Sequence, residues 1–509
     1  MVLVLVLVAL AAFPSAAAGK RPNIVLVVTD DQTLASLDAG TMPSTLGLIG
    51  GEGTEFTNAV ATTPLCCPSR ASMLTGQYAH NHGTLGNTPG YEALRHKANT
   101  LPVWLGRAGY VTAHVGKYLN RYKASVAHPT DVAPGWDEWH TVIDPSRRYV
   151  RYYDYRLAVN GDAVRLGDRP RDYITRVINR RAARMVREHA PRSKPLYLQV
   201  DHRAPHTEEG VDSGGPCGGT VPPDPRDAGA FAAETLPRPP SFDEPDVSDK
   251  PSFIRALPRL GGATTAAIER RYRCALASLR SVDRGVRRVV AALRRERELD
   301  DTVLIFTSDN GFFFGEHRIP EQKTRPYEES VRVPLLIRVP ERHRGAQAPA
   351  QVSDPVANID IAPTILDLAR ARPCRSAGEC RVMDGRSLLG PIRGEGGWPD
   401  DRAIALEFDA GPRARRTLVC RYEGVRAAGH VYVRHTAAAD AAGDCRPVDE
   451  REHYDLGADP FQLDNLYPAD PTTPQGASED ALEARLDALR NCAGIAGRDP
   501  ASGGRPFCE

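Results

Sequence analysis

Four stretches of the chain share one pattern, an unbroken apolar run that ends in polar residues. They are NIVLVVTDD (23–31), YVTAHVGK (110–117), PLYLQVDHRAPH (195–206) and DTVLIFTSDNG (301–311). Runs of this kind are typical of strands that are buried on both faces of a parallel sheet. Each run is therefore predicted to be a central strand, with its polar residues at the carboxyl end.

Between the third and fourth runs, apolar residues recur at intervals of three and four. Tyr272, Leu276 and Leu279 belong to this series, which predicts an amphipathic helix from about Thr264 to Glu298. Strands that alternate with helices indicate an α/β fold with a large, mostly parallel central sheet flanked by helices. The polar strand ends should then lie along one edge, where such sheets form their sites.

Two other regions lack this alternation. Residues 207–262 are rich in Gly, Pro and Asp and show little periodicity, which predicts a long irregular excursion near the site. Two short apolar runs within 416–435 predict a hairpin, and residues 479–493 predict a closing amphipathic helix. We therefore expect a main domain over residues 19–385 and a smaller C-terminal α+β domain, with an antiparallel sheet, over residues 386–509.

The N-terminus resembles an export signal. Its apolar run, about ten residues long, precedes the small residues Ala16 to Ala18, as in a signal peptide covering residues 1–18. No positive charge precedes the run, so a misassigned start or a lipid anchor stays open. No other apolar run is long enough for a transmembrane segment, and the net charge of +1 gives no basic field for nucleic acid. The mature chain is expected to be exported, to the medium, the cell surface or the periplasm.

The cysteines agree with export. Two are adjacent, Cys66 and Cys67, and eight others are spread along the chain: Cys217, Cys274, Cys374, Cys380, Cys420, Cys445, Cys492 and Cys508. An even set in an exported chain indicates disulfides. Pairing each of the eight with its neighbour in sequence closes the shortest loops and is our expectation. Zinc ligation is the alternative, but the sequence has no C-x-x-C.

Two strand ends carry oxygen ligands. Asp30 and Asp31 end the first strand, and Asp309 and Asn310 end the fourth. Adjacent carboxylates repel each other unless a cation or hydrogen-bond donors intervene, although a lone pair of aspartates is often only a solvated loop. Together the two clusters form an all-oxygen set that suits Ca²⁺, with Mg²⁺ as the alternative.

Cationic residues follow the predicted strands as well. Lys117, His206 and Lys323 each lie at or soon after a strand end. Taken singly, such a lysine is usually solvated and such a histidine is often a hydrogen-bonding core residue. If they converge with an arginine on one cleft, they can bind a tetrahedral oxyanion and stabilise charge during its transfer.

The adjacent thiols lie at a predicted helix start. In LCCPSRASMLTG (65–76), Pro68 suits the first turn and Gly76 the C-terminal cap. Cys66 would then lie at the helix N-terminus, where a bare thiol is expected to have a lowered pKa and to be nucleophilic. Alternatively both thiols are structural. A disulfide between adjacent cysteines is unfavourable, so that reading leaves two free thiols in an exported protein.

These residues resemble a known family. CCPSRASMLTG resembles the C-x-P-S-R-x-x-x-L-T-G signature of the type I sulfatases, whose fold is alkaline-phosphatase-like. PNIVLVVTDDQ, the Gly116-Lys117 pair, APH (204–206), TSDNG and KTRPYEESVRVPLLIR also resemble family segments. The resemblance covers most of the chain except residues 207–262 and much of the C-terminal domain.

The resemblance implies roles for the residues singled out above. Cys66, separated from Pro68 by one residue, matches the cysteine that a formylglycine-generating enzyme converts to formylglycine, and Cys67 is then a spacer. The metal ligands, normally of Ca²⁺, match Asp30, Asp31, Asp309 and Asn310, together with the modified Cys66. Arg70 matches the arginine that holds the aldehyde hydrate, and the groups that bind sulfate and assist the leaving oxygen match Lys117, His206 and Lys323.

One position departs from the family pattern. Many sulfatases have a histidine two residues after the lysine, but here the segment is GKYLN, with Leu119 at that position. This wording resembles the N-acetylglucosamine-6-sulfatase branch. His80, His82 and Asn120 are weak candidates for the base that the histidine provides in other members.

The resemblance predicts an exported sulfatase that acts on a small-molecule or glycan sulfate ester, such as an aryl sulfate or N-acetylglucosamine 6-sulfate. Two alternatives stay open. One is a phosphodiesterase or phosphonate monoester hydrolase of the same superfamily, and the other is a non-catalytic sugar-binding relative.

Overall fold

The computed structural model describes residues 20–122, 130–143, 151–208, 217–396, 402–411, 419–427, 429–440, 442–467 and 477–508. The predicted signal peptide at 1–18 lies outside this range. The strands are β1 (Asn23–Asp30), β2 (Thr54–Phe56), β3 (Ala59–Val60), β4 (Val111–Gly116), β5 (Glu138–Ile143), β6 (Arg156–Val159), β7 (Asp162–Arg165), β8 (Leu196–Pro205), β9 (Thr302–Ser308), β10 (Leu335–Arg338), β11 (Gln351–Val352), β12 (Val356–Ala357), β13 (Ala403–Asp409), β14 (Val419–Ala427), β15 (His430–Ala439) and β16 (Cys445–Asp455). The helices are α1 (Pro43–Thr45), α2 (Cys66–Thr75), α3 (Ala79–His82), α4 (Leu101–Arg107), α5 (Ile174–His189), α6 (Ser252–Arg255), α7 (Gly262–Arg295), α8 (Glu328–Val331), α9 (Ile361–Ala369), α10 (Leu389–Arg393) and α11 (Ala477–Leu489).

Ten strands form the main sheet, in the order β11-β2-β10-β9-β1-β8-β4-β5-β6-β7. The four predicted strands are its centre, and β9, β1, β8, β4 and β5 run parallel to one another. Toward the edges, β10 is antiparallel to β9, and β6 is antiparallel to β5. The predicted α/β class with a mostly parallel sheet is confirmed.

Helices cover both faces of this sheet. Successive side chains of a strand point to opposite faces, so the unbroken apolar runs place apolar side chains on both, and each face packs against helices. Ile24 and Leu26 of β1 pack in one core with residues of α2, α4 and α9. Val25 and Val27 pack in a second core with α5 and α7. The predicted long helix is α7, which extends over Gly262–Arg295 and is therefore confirmed to within a few residues at each end.

The C-terminal part contains a four-stranded antiparallel sheet, β13-β14-β15-β16, as predicted. Helix α11, the predicted closing helix, contributes Leu482, Leu486 and Leu489 to the core of this sheet. Within the predicted excursion, the described residues 217–261 consist of turns and extended segments around the short helix α6. The domain boundaries remain a prediction.

Four disulfides join the eight dispersed cysteines in the expected neighbour pairing: Cys217–Cys274, Cys374–Cys380, Cys420–Cys445 and Cys492–Cys508. Cys66 and Cys67 are free and buried. The first disulfide ties the excursion to α7. Among the helices of the described residues, none combines the length and apolar content that crossing a bilayer requires.

Candidate active site

Cys66 is the first residue of α2 and lies among charged groups from other segments. Its Sγ atom is 3.3 Å from Oδ1 of Asp30, at the end of β1, and 3.0 Å from Nζ of Lys323. The helix begins after the extended residue Leu65 and ends at Gly76, which has a φ of 67°. Glycine adopts this left-handed conformation without strain, so the predicted cap is present.

The expectation of a reactive bare thiol at this position is wrong. Burial raises the pKa of the Cys66 thiol to about 12, and the Asp30 carboxylate acts in the same direction. A helix N-terminus typically contributes about 0.3–1 kcal/mol, less than the 1.36 kcal/mol of a single pKa unit, so it does not offset the burial. An unmodified Cys66 is therefore protonated at neutral pH and is a poor nucleophile.

The carboxylates of the two neighbouring strand ends meet beside Cys66. The backbone N–H of Asp31 donates to Oδ1 of Asp309 over 3.1 Å, and Nδ2 of Asn310 donates to Oδ1 of Asp31 over 2.8 Å. Asp31 has a φ of 70°, a left-handed conformation that aspartate tolerates better than most residues. The structure thus brings together the two oxygen clusters that the sequence predicted.

These atoms fit a divalent cation. One ligand atom each from Asp30, Asp31, Cys66 and His206 lie within 4.8 Å of one another. Oδ1 of Asn310 is buried and has no hydrogen-bond partner among the described residues. Leaving such an acceptor unsatisfied is costly, and a cation with oxygen ligands would satisfy it. The carboxylate and amide oxygens of this set suit a hard divalent cation, whereas an unmodified Cys66 thiol does not.

The three carboxyl groups differ in pKa. Burial would raise the pKa of Asp30, but its cationic neighbours, Lys117 foremost, together outweigh burial and hold that pKa well below its usual value. Burial likewise opposes ionisation of Asp31, and Lys323 lowers its pKa. For Asp309 burial prevails over Arg70 and raises the pKa to about 6. The most firmly ionised carboxylates are therefore the pair that ends β1.

Lys117 directly follows β4, as predicted, and its Nζ donates to Oδ2 of Asp30 over 2.6 Å. The preceding Gly116 has a φ of 117°, and a Cβ there would lie 1.8 Å from the carbonyl oxygen of Asp201. Only glycine therefore allows β4 to approach β8 closely enough to place the lysine in the site.

Lys323 reaches the site differently from the prediction. It does not follow a strand end closely but lies in the loop between β9 and β10, which folds back through a bridge between Phe313 and Gln322. Its ammonium bonds Oδ1 of Asp31 and contacts Cys66. The loop is braced by the excursion, because Oγ of Ser241 donates to Glu329 over 3.0 Å.

His206 directly follows β8 and faces the carboxylates. Its Nε2 is 3.7 Å from Oδ2 of Asp31, and its Nδ1 is 2.7 Å from the carbonyl oxygen of Thr207. A carbonyl only accepts, so Nδ1 carries the proton and the lone pair of Nε2 points to the site. Burial lowers the pKa of His206 to about 3.

Arg70 lies one turn along α2 from Cys66 and is held between two carboxylates. Its Nε donates to Oδ2 of Asp309 and its Nη1 to Oδ1 of Asp201, each over 2.7 Å. Nη2 is buried with no partner among the described residues, so one donor of the guanidinium remains available for a ligand.

Asp201 and His114 were not predicted. Nε2 of His114 lies 2.9 Å from Oδ2 of Asp201, and its Nδ1 lies 2.7 Å from Oγ1 of Thr141. Asp201 lies in β8 and His114 in β4, and both are buried. The sequence does contain this signal, because polar residues in buried central strands need partners. Asp201 thus links Arg70 to a buried imidazole.

The residues considered as substitutes for the missing histidine have other partners. Leu119 packs in the core. His80 lies 2.9 Å from Oε2 of Glu407 and 3.1 Å from the Cys492 carbonyl. The N–H of Thr84 donates to Nδ1 of His82, so the proton of His82 is on Nε2, facing Ser72 at 3.1 Å. Both imidazoles have structural roles here.

Asn120 and Cys67 are neighbours, since Sγ of Cys67 lies 3.8 Å from the carbonyl oxygen of Asn120. Oδ1 of Asn120 is buried without a hydrogen-bond partner among the described residues. Cys67 packs in the core, and its backbone N–H donates to Oδ1 of Asn87 over 2.9 Å. The contacts of Cys67 are those of a packing residue, unlike those of Cys66.

A buried nucleophile position, flanked by carboxylates and cationic groups at the carboxyl edge of a parallel sheet, is the arrangement of a hydrolase for charged esters. The chain belongs to the sulfatase family: the Sulfatase family profile matches residues 22–371. A second profile, N-sulphoglucosamine sulphohydrolase, C-terminal, matches residues 315–491.

Among named relatives, an extracellular sulfatase SULF-1 homolog of Drosophila melanogaster is 34% identical over 76% of this chain and 33% of its own length. The chain thus spans a third of that protein, and 49% of a putative extracellular sulfatase Sulf-1 homolog of Caenorhabditis elegans. An arylsulfatase of Volvox carteri is 34% identical over 98% of this chain and 79% of its own length. The N-acetylglucosamine-6-sulfatase of Homo sapiens is 31% identical over 96% of this chain and 88% of its own length.

Solved structures share the fold. A protein in complex with its substrate D-glucosamine-2-N,6-O-disulfate matches with a TM-score of 0.72 and 24% identity, over 92% of this chain and 97% of that one. A phosphonate monoester hydrolase of Agrobacterium radiobacter matches with a TM-score of 0.66 and 21% identity, over 92% and 95%.

Proposed function

We propose that this chain is an exported sulfatase that hydrolyses a sulfate monoester and releases inorganic sulfate. The observation that carries the proposal is the position of Cys66, which begins α2 in contact with the Asp30 carboxylate and the Lys323 ammonium. A protonated thiol is of little use there, whereas the signature around it matches a cysteine that is converted to formylglycine. The four disulfides are consistent with export.

The modified side chain supplies the nucleophile. The hydrate of the formylglycine aldehyde would carry two hydroxyl groups. Attack of one on sulfur would break the S–O bond of the ester and release the substrate alcohol, and loss of the proton of the second would expel sulfate as the C=O bond re-forms. A Ca²⁺ ion held by Asp30, Asp31, Asp309 and Asn310 would supply Lewis-acid polarisation. Serine at position 66 has no second hydroxyl, so it can accept sulfate but cannot release it.

The other side chains position charge and protons. Lys117 and Lys323 provide ammonium groups beside the nucleophile position, where sulfate oxygens gain negative charge. Arg70 is fixed by two carboxylates and has a free Nη2 group, which we assign to hold the hydrate. His206 has the lone pair of Nε2 open to the site, so it can accept the proton that the attacking hydroxyl loses and pass it to the leaving oxygen of the substrate.

For the substrate we propose a sulfated aminosugar with a 6-O-sulfate, such as N-acetylglucosamine 6-sulfate. The support is twofold: a human N-acetylglucosamine-6-sulfatase aligns with nearly the whole chain, and a protein of the same fold binds a 6-O-sulfated glucosamine. The arylsulfatase of Volvox carteri is 34% identical, against 31% for the human N-acetylglucosamine-6-sulfatase, so we also propose simple aryl sulfates as assay substrates.

The test has two parts. Co-expression with a formylglycine-generating enzyme, followed by mass spectrometry of the peptide that contains Cys66, should show the aldehyde at this position. The same preparation should hydrolyse 4-nitrophenyl sulfate and N-acetylglucosamine 6-sulfate faster than 4-nitrophenyl phosphate or a phenylphosphonate ester. An unmodified thiol would remove the basis of the proposal, and a preference for the phosphorus esters would indicate a phosphonate monoester hydrolase instead.

A further inference from the structure

A second cavity lies at the far end of α2 from Cys66. Its volume is about 640 Å³, and its walls come from Gln77 and Asn81, from residues 95–99, from residues 375–382 and from the C-terminal residues Ala493, Ser502 and Arg505. Two disulfides, Cys374–Cys380 and Cys492–Cys508, brace two of these walls. Ligand pockets typically have volumes of about 300–1,000 Å³, so this cavity has room for a sugar unit.

The cavity is strongly cationic. Arg95, Lys97, Arg375, Arg381 and Arg505 line it, and Glu379 is the one carboxylate among the described lining residues. Glu379 is already paired with Arg375 at 2.6 Å. The whole chain has a net charge of only +1, so this excess is local.

The deeper arginines are held by neutral groups and not by carboxylates. Arg381, which is 6% exposed, donates to the carbonyl oxygens of Arg95, His96 and Asn99 and to Oε1 of Gln77. Burial lowers the pKa of Arg381 to about 10. A buried charge that is not paired with an opposite charge is costly, and an anion in the cavity would reduce that cost.

The charges nearer the opening remain available. Nη1 of Arg95 donates to the carbonyls of His80 and Asn81, and Arg505 uses Nε and Nη2 on carbonyl and amide oxygens. Each guanidinium keeps further N–H groups for a ligand, and a guanidinium fork matches the oxygens of an oxyanion.

We infer that this cavity binds a sulfate-bearing sugar unit of a sulfated glycan, as an exosite separate from the catalytic centre. Helix α2 has 10 residues and is therefore about 15 Å long at 1.5 Å per residue, so one bound sulfate group cannot occupy both positions. Single-stranded nucleic acid is less suited, because it requires aromatic platforms for its bases and the described lining has no Phe, Tyr or Trp. The inference rests on the proposed function for the identity of the polymer.

An exosite affects only substrates long enough to reach it. For such a polymer, binding at the second site adds to binding at the first without a new contact to the reacting group. The hydrolysis of a small monosulfated substrate should therefore not change when the cavity is altered. Arg95 is exposed, and its guanidinium bonds two backbone carbonyls and no carboxylate among the described residues. Its charge can be removed without disturbing Arg381, which bonds the backbone carbonyl oxygen of residue 95 and not its side chain.

The test compares Arg95→Gln, the cavity variant, with a control, Arg287→Gln, which removes one exposed charge from α7. Calorimetry with a sulfated glucosamine tetrasaccharide, in a Cys66→Ala background that prevents turnover, measures binding directly. We expect the cavity variant to bind at least tenfold more weakly, with a reduced salt dependence, and the control to stay within twofold of the parent. Thermal unfolding of both should match the parent.

Three outcomes would overturn the inference. Equal weakening in both variants would mean diffuse electrostatics, and inorganic sulfate binding in the cavity as tightly as the tetrasaccharide would mean a site for free sulfate. If an oligonucleotide of equal charge binds more tightly than the tetrasaccharide, and if only the cavity variant weakens its binding, the ligand of the cavity would be a nucleic acid. Because binding is measured without turnover, these results are independent of whether the chain hydrolyses sulfate esters. With the Cys66 side chain intact, hydrolysis of 4-nitrophenyl sulfate should be unchanged in the cavity variant.

Discussion

The carboxylate of Asp201 should set the activity through Arg70. Asp201 accepts a hydrogen bond of 2.7 Å from Nη1 of the Arg70 guanidinium, while Asp309 accepts one from Nε. An Asp201→Asn variant keeps the shape and one oxygen acceptor but removes the charge. On that side the arginine then keeps its position only through a hydrogen bond to a neutral acceptor, and its free Nη2 donor is less firmly oriented.

The size of the effect follows from the strength of these bonds. A hydrogen bond between charged groups typically contributes about 1.5–3 kcal/mol, and a neutral one about 0.5–1.5 kcal/mol. The difference is about 1–1.5 kcal/mol, and 1.36 kcal/mol corresponds to a tenfold change in rate. Asp201→Asn should therefore lower kcat about five- to tenfold. Asp201→Ala should cost more activity and about 3–5 kcal/mol of stability, because it leaves a buried charge without its partner.

The assay is steady-state hydrolysis of 4-nitrophenyl sulfate, with kcat divided by the formylglycine content measured by mass spectrometry. KM should change less than kcat, because Arg70 is assigned to the nucleophile. Asp283→Asn is the matched control: this buried carboxylate accepts from the N–H and hydroxyl of Thr45, outside the site, and should leave kcat unchanged. A normal corrected kcat in Asp201→Asn would refute the reasoning.

Three further results are expected. Cys66→Ser should abolish multiple turnover and Cys67→Ala should retain nearly full activity; equal losses in the two would contradict the assignment. Chelation by EDTA should abolish hydrolysis, with Ca²⁺ restoring it better than Zn²⁺; full activity in metal-free protein would exclude the cation. Burial would lower the pKa of His80, but Glu407 outweighs it and raises that pKa from 6.5 to about 9. The contribution of this pair to the free energy of unfolding is thus complete below pH 6.5 and is lost as the pH rises through about 9; it amounts to at most about 3 kcal/mol. Denaturant unfolding should show that His80→Gln is less stable than the parent at pH 6 and equally stable at pH 10. A difference in stability that does not change with pH would disprove the linkage.

The centre of the sheet was predictable, and its edges were not. An unbroken apolar run indicates burial on both faces, which only central strands have. Strands β6 and β7 are short and partly exposed, so their pattern is weak. Strand β10 does carry an apolar run, LLIR, but parallel and antiparallel strands have the same two-residue period. Its antiparallel direction therefore could not be read from the sequence.

The same distinction applies to the site. Asp30 and Asp309 could be brought together in advance because the carboxyl ends of parallel neighbours share an edge. Lys323 could not, since its position depends on a loop that folds back on itself. The partnership of Asp201 with Arg70 depends on the register that pairs Gly116 with Asp201, and the raised pKa of Cys66 depends on burial, so neither is visible in residue spacing.

The balance of charge in the site argues for the cation independently of the family. Asp30, Asp31, Asp201 and Asp309 form ion pairs with three cationic side chains, those of Arg70, Lys117 and Lys323. With all four carboxylates ionised, and leaving the imidazoles aside, the protein groups alone have a net charge of minus one, which repels a sulfate monoester. One divalent ion would change the net charge to plus one, which favours binding of the sulfate monoester anion. Two opposite unit charges 4 Å apart attract each other by about 4 kcal/mol at an effective dielectric constant of 20. The acidic residues therefore do not oppose an anionic substrate, because they hold the charge that attracts it.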